Sequence, residues 1–279
     1  MSRRYSFLRL ALPLVFLFHP AQGCGTGRRE PPAPSQSRIA FTTNERFDAR
    51  AVPAYTGEHR DVYAYIDGHR AEHLEQVQRW LRQPSISAEG KGIREMANLV
   101  RQDLTTLGFQ EAELAPTSGH PGVWGYLDQG APKTLLVYMM YDVQPVEQSD
   151  WQVNAFEGAV IDHQLGRVLM GRGATNQKGP QRAFLNAVAA IRAVRGKLPV
   201  NLMIAAEGEE ELGSPHYPQI IDRYQARMRE ADGVMFPSNS QSRTGEVTLS
   251  LGVKGILYLE LEAKGGNRVV RRRQRSTGP

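Results

Sequence analysis

Cysteine is almost absent from this chain: Cys24 is the only one in 279 residues. That excludes an internal disulfide framework and a zinc site built from cysteines. No GxSxG elbow and no phosphate-binding P-loop occurs, so serine-hydrolase and nucleotide readings have no support. The nearest approach to a dinucleotide loop is Gly171-Arg172-Gly173. It places Asn176 where a third glycine belongs, and no strand-loop-helix unit opens the fold there. The net charge of the body of the chain is also small. The formal net charge of +5 comes from the ends, where Arg3, Arg4 and Arg9 stand at one terminus and Arg268, Arg271, Arg272, Arg273 and Arg275 at the other. A basic tail of this kind is ordinarily a solvated terminus, so nucleic acid is not an expected partner.

The longest apolar run near the start, Phe7 to Phe18, is too short to span a bilayer as a helix. Behind Arg3 and Arg4 it reads instead as the apolar core of an export signal covering residues 1–23. Ala21-Gln22-Gly23-Cys24 resembles a bacterial lipobox, in which Cys24 is lipidated and becomes the new N-terminus. Ordinary cleavage near Gly23 is the alternative. The expectation is an exported protein of the cell envelope, lipid-anchored through Cys24 rather than membrane-spanning. Residues 24–40, rich in Pro, Ser, Gly and Arg, read as a flexible linker.

Apolar residues then recur at helical spacing from Asp61 to Arg82 and from Ile93 to Leu107, with Gly108 placed to end the second helix. From there strands alternate with helices. Gly122–Leu127 and Thr134–Met140 are short apolar runs, and Glu157–Leu169 has the pattern of a hairpin. Pro180–Arg195 is a helix, Val200–Ala206 a buried strand, and Val234–Phe236 another short strand. Ser214 is placed to cap a helix with Pro215 at its first position. Strands with crossover helices argue for an α/β fold with a mainly parallel sheet and flanking helices. Glu246–Leu251 and Gly255–Ala263 look like strands entering a second sheet.

Two patterns bear on chemistry. His69-Arg70-Ala71-Glu72-His73 matches the inverted zincin motif HxxEH, but no third ligand accompanies it, and a polar helix stripe is the favoured reading. The acids Glu207, Glu209, Glu210 and Glu211 follow the strand Val200–Ala206. Tyr141-Asp142 follows Thr134–Met140, and Asn176–Lys178 precedes the helix Pro180–Arg195. Such positions converge at the carboxyl edge of a parallel sheet, where α/β proteins bind ligands.

The three segments YMMYDVQP (Tyr138–Pro145), GRGATNQKGP (Gly171–Pro180) and EGEEELGSP (Glu207–Pro215) resemble the metal-site signature of the aminoacylase, carnosinase and carboxypeptidase G family of two-zinc metallopeptidases. The dipeptidase branch is the most similar, and the resemblance runs from about Tyr65 to Gly265. It implies a zinc exopeptidase-like catalytic domain at residues 41–250 and the first strands of a lid or dimerisation domain at 251–265. A basic irregular tail follows at 266–279. The change of composition there is read as a frameshift or fragment boundary. The resemblance further implies zinc as cofactor, small peptides or acylamino acids as substrates, and a homodimer in the full-length family form.

Residue by residue, the resemblance implies catalytic roles for Asp142, which supports the metal site, and for Glu210, the general base. It makes Glu211 a metal ligand. At the other ligand positions the family's donors are replaced: Met140 stands for a histidine, Asn176 for a bridging aspartate, and Asn239 for a further acid. A thioether is a weak donor for zinc, and carboxamides do not offset a dication. Without the metal a water stays near its bulk pKa of about 15.7 instead of about 7. Glu210 is then a base with no activated nucleophile. The ligand arithmetic predicts a protein with little or no hydrolytic activity. The alternatives are a membrane-tethered protein that binds peptides or amino acids, and a non-functional truncated fragment.

Overall fold

The computed structural model describes residues 56–238, 242, 244 and 247–250. All elements below lie in the compact unit that begins at Gly57. The signal and linker at 1–40, Cys24, Asn239, and the expectations for 251–265 and 266–279 lie outside the described residues. Of the strand placed at 246–251 the described residues are 247–250, where Val247 makes a β-bridge and residues 248–250 are in no strand. No described helix is long and apolar enough to cross a membrane.

The single helix expected from Asp61 to Arg82 is divided into α1 (Arg60–Gly68) and α2 (Arg70–Arg82). The break follows Gly68, whose backbone freedom makes a helix costly to continue. His69 stabilises it. Its ring stacks on Tyr65 at 3.9 Å between centroids, and its Nδ1 lies 2.7 Å from the Tyr65 carbonyl oxygen. Next, α3 (Ile93–Thr106) turns Ile93, Met96, Ala97, Val100 and Leu104 inward at three- and four-residue spacing. It ends before Gly108, which adopts φ +77°, as the sequence led us to expect.

The strands are β1 (Glu111–Ala115), β2 (Gly122–Leu127), β3 (Thr134–Met140), β4 (Ala159–His163), β5 (Gly166–Met170), β6 (Asn201–Glu207) and β7 (Gly233–Met235). β4 and β5 form a separate antiparallel hairpin. The others form one sheet in the order β1-β2-β6-β3-β7. This sheet is mixed rather than mainly parallel. β1 pairs antiparallel with β2 and β2 antiparallel with β6, whereas β6 and β3, and β3 and β7, run parallel. The physical reason lies in the connections. A short loop joins β1 to β2, which allows only a hairpin, while the later strands are joined through α4 (Lys178–Arg195) and α5 (Tyr217–Met228).

β6 lies at the centre, and every residue in it is buried. Its alternation divides the core. Leu202, Ile204 and Ala206 pack with Trp80 of α2, Leu104 of α3 and Leu185 of α4. Met203 and Ala205 pack on the other face with Ile220 and Tyr224 of α5. Burying a side chain such as Ile204 contributes about 2 kcal/mol. The central parallel pair therefore forms a rigid base whose carboxyl ends carry the residues discussed next.

One helix start differs from expectation. Ser214 does not cap α5, which begins at Tyr217 behind His216. Ser214 adopts φ +56°, and its hydroxyl donates to Glu207 Oε1 at 2.8 Å. The buried acid, not the helix, takes up the cap-type side chain.

Candidate active site

β3 and β6 end side by side, with Met140 in register with Glu207. The Tyr141 N–H still donates to the Glu207 carbonyl at 2.9 Å, so the chains part just beyond that point. Gly208 is required there: a Cβ on it would lie 2.5 Å from the Tyr141 ring. Asp142 follows and is completely buried. Its two oxygens accept the backbone N–H groups of Glu210 and Glu211 at 3.2 and 3.1 Å. Asp142 thus anchors the 3-10 turn Glu210–Leu212 and fixes the backbone from which Glu210 and Glu211 project.

The third segment arrives at the same place from the N-terminus of α4. Asn176 Nδ2 donates to Glu211 Oε1 at 3.3 Å, and Gln144 Nε2 donates to Glu211 Oε2 at 2.7 Å. Gln177 Nε2 donates to Asn176 Oδ1. Asp142, Asn176, Glu210 and Glu211 are thereby brought together, and Met140 is buried at the end of the strand before them. Gln144 was not singled out from the sequence. The signal was present in its place two residues after Asp142, but a lone glutamine carries no chemical marker by itself.

Electrostatics reflect the crowding of acids. Burial raises the Asp142 carboxyl above the usual carboxylate range, against the lowering effect of the Ser87 hydroxyl and the two N–H groups. Burial, then Glu211 and Asp142, push Glu210 in the same direction. Burial also raises Glu207, although Tyr138 and Ser214 both donate to its Oε1. Its Oε2 is buried with no hydrogen-bond partner among the described residues. Glu209 accepts from a different direction, with His216 Nδ1 2.7 Å from its Oε2. The cation beneath the site is Lys178, fully buried, with its Nζ donating to the carbonyls of Trp80 and Gln83 at 3.2 and 2.5 Å. Burial lowers its ammonium to about 7, against the pull of Asp142.

The HxxEH pattern has no part in this. His69 lies at the break between α1 and α2, and its ring is 6.4 Å from that of His73. A cavity of about 550 Å³ opens beside α4, lined by Val77, Thr175, Pro180, Phe184, Met235 and Val247 among others. None of Asp142, Glu210 or Glu211 lines it.

A sequence profile described as peptidase family M20/M25/M40 matches residues 136–260, the stretch that carries all three segments. Cys-Gly metallodipeptidase DUG1 of Candida albicans is 30% identical over 224 residues, which cover 73% of this chain and 45% of that protein. Over residues 136–260 this chain is similar to the M20/M25/M40 peptidase family. Its similarity lies in the dipeptidase-like branch: the Beta-Ala-His dipeptidase of Rattus norvegicus is 28% identical over 232 residues, 76% of this chain and 46% of that protein. Among solved structures, an M20 family metallo-carboxypeptidase from Sulfolobus solfataricus is 35% identical. It superposes with a TM-score of 0.56 over 62% of this chain and 39% of its own. Human carnosine dipeptidase 1 is 27% identical and also reaches a TM-score of 0.56, over 64% of this chain and 41% of its own. The chain spans about half the length of the curated relatives it matches.

Zinc, the metal expected for the M20 family, does not fit the residues present. Both oxygens of Glu211, the residue for which the resemblance implies a ligand role, accept amide N–H groups. The Asn176 carboxamide is engaged at both ends, by Gln177 and by Glu211. Met140 offers a thioether, a soft donor poorly matched to Zn²⁺. Among the described residues no group of three or more His, Cys, Asp and Glu is arranged to hold a metal ion.

Proposed function

We propose that this chain is a dipeptidase-type member of the M20 family in which metal-dependent hydrolysis of peptide or acylamino bonds is impaired. The observation that carries the reading is the state of Glu211, whose carboxylate is taken up by Gln144 and Asn176. A two-zinc site needs several anionic or imidazole donors with free lone pairs. Here the donors at 140 and 176 are a thioether and a carboxamide, and Asn239 adds a second carboxamide in the sequence. Glu210 retains the position of the general base, and burial with two neighbouring carboxylates raises its proton affinity. Asp142 retains its positioning role toward the Glu210–Leu212 turn.

Relatives named as Cys-Gly and Beta-Ala-His dipeptidases make small peptides the substrate class to test. The full-length protein is incubated with both dipeptides and with an acylamino acid, with zinc supplied. The reading expects no release above the protein-free control. Turnover in the ordinary enzymatic range of about 1–10³ s⁻¹ would overturn it. A second reading, a scaffold that binds a small peptide without cleaving it, is favoured by the cavity of about 550 Å³ next to Thr175. Its size is that of a small-molecule site. Calorimetric titration of the same dipeptides in chelator separates the two readings: heat of binding without hydrolysis supports the second, and no heat leaves the first.

A further inference from the structure

Glu211 and Asn176 stand where the family places a ligand and a bridging aspartate, yet here they are joined by a hydrogen bond. Asn176 Nδ2 donates to Glu211 Oε1 at 3.3 Å. The other end of the same carboxamide accepts from Gln177 Nε2. These contacts fix which way the amide faces, since a flip would set its oxygen against the Glu211 carboxylate. Gln144 supplies the remaining donor on Glu211. Asp142, Glu207 and Glu210 crowd the same end of the sheet, and each has a raised proton affinity. A fifth carboxylate at 176 would face Glu211 across about the length of a hydrogen bond, while the buried ammonium of Lys178 is turned to the carbonyls of Trp80 and Gln83.

We infer that the Asn176 carboxamide replaces the bridging cation as the structural tie of this site, closing the acidic end of the sheet by hydrogen bonds and without metal. The tie spans two elements of separate origin, the loop before α4 and the turn after β6. It joins the second and third family segments in the absence of the ion that would otherwise do so, while Gln144 and Asp142 join the first to the third. The Asp-to-Asn difference at 176 is then a stabilising adaptation to a metal-free site. This inference rests on the functional reading above in treating the site as metal-free.

The test is thermal unfolding of the full-length protein in chelator, for the wild type, Asn176→Asp, Asn176→Ala and the pair Asn176→Asp/Glu211→Gln. Asn176→Asp is expected to melt about 3–8 °C below the wild type, on the usual scaling for a domain of this size. Asn176→Ala, which loses the bond but adds no charge, is expected to lose less than half of that. Raising the salt to 1 M, where the screening length is about 3 Å, is expected to recover part of the Asn176→Asp loss. The pair is expected to recover most of it, because the facing charge is gone. If Asn176→Asp does not fold, recovery of folding in the pair decides the point. An Asn176→Asp protein as stable as Asn176→Ala, or a loss that neither salt nor Glu211→Gln relieves, would overturn the inference. Zinc bound to the wild type would overturn the functional reading and with it the metal-free premise, whereas the unfolding comparison, made in chelator, tests the amide tie by itself.

Discussion

Asp103→Ala is expected to lower stability by about 3–5 kcal/mol, the usual cost of stripping one partner from a buried ion pair. Asp103 is 4% exposed and stands at the junction of three helices. Its Oδ2 accepts from the Trp80 indole N–H of α2 at 2.7 Å, and Arg79 Nη2 donates to its Oδ1. From α4, Arg182 Nε lies 3.3 Å from Oδ2. Arg182 is itself buried, and burial lowers its affinity for the proton while Asp103 restores part of it. Removing the carboxylate leaves a guanidinium and an indole N–H in the interior with no partner of opposite charge. Melting is expected to fall by roughly 10 °C, at about 2–4 °C per kcal/mol for a domain of this length. Asp103→Asn keeps an acceptor and is expected to lose less. A melting temperature for Asp103→Ala within about 2 °C of the wild type would show that the three helices do not depend on this hub.

Gly179→Ala is expected to be comparably damaging, for a steric reason. A Cβ at Gly179 would stand 1.9 Å from the Ala174 carbonyl oxygen, a backbone atom. That loop has little room to yield. The Ala174 N–H donates to Gly171 O at 3.0 Å, the Arg172 N–H to Ala155 O at 2.7 Å, and the Gly179 N–H to Gly173 O at 3.0 Å. Overpacking commonly costs about 1–3 kcal/mol where side chains give way, and more where backbone must move. A loss above about 3 kcal/mol is expected, with reduced soluble yield. The displaced loop carries Asn176, so the bond to Glu211 is expected to break as well. A soluble Gly179→Ala protein that melts within about 2 °C of the wild type would contradict the packing described.

These two residues also illustrate what the sequence makes legible. Gly179 belongs to GRGATNQKGP and is visible as part of a family signature. Asp103 sits in the middle of an amphipathic helix with nothing to distinguish it from a surface acid. Its partners come from α2 and α4, at sequence distances that no local pattern covers. β1 was missed for a related reason. Its acids Glu111 and Glu113 look like solvent-facing residues. Glu111 instead accepts from Trp124 Nε1 and Arg227 Nη1, and Glu113 from Tyr224 OH. Strands β2 and β3, by contrast, have the bounds expected from their apolar runs, because neither contains an exposed residue to interrupt the signal.

The site divides along the same line. That Tyr138–Pro145, Gly171–Pro180 and Glu207–Pro215 meet at one sheet edge follows from their places after strands and before a helix. The hydrogen bonds Asp142–Glu210, Asp142–Glu211, Gln144–Glu211 and Asn176–Glu211 give that meeting its geometry. The sheet's mixed pairing was not legible, since antiparallel and parallel strands of a buried sheet share one composition. The place of Ser214 on Glu207 was hidden because the buried acid outcompetes the helix start for the hydroxyl.

The central claim is that amides have taken the place of metal ligands and that the chain does without two-zinc chemistry. Elemental analysis of the purified full-length protein, after equilibration with excess zinc and removal of free metal, tests it most directly. The account predicts well under one zinc per chain. About two zincs per chain, the stoichiometry of a two-metal site, would contradict it.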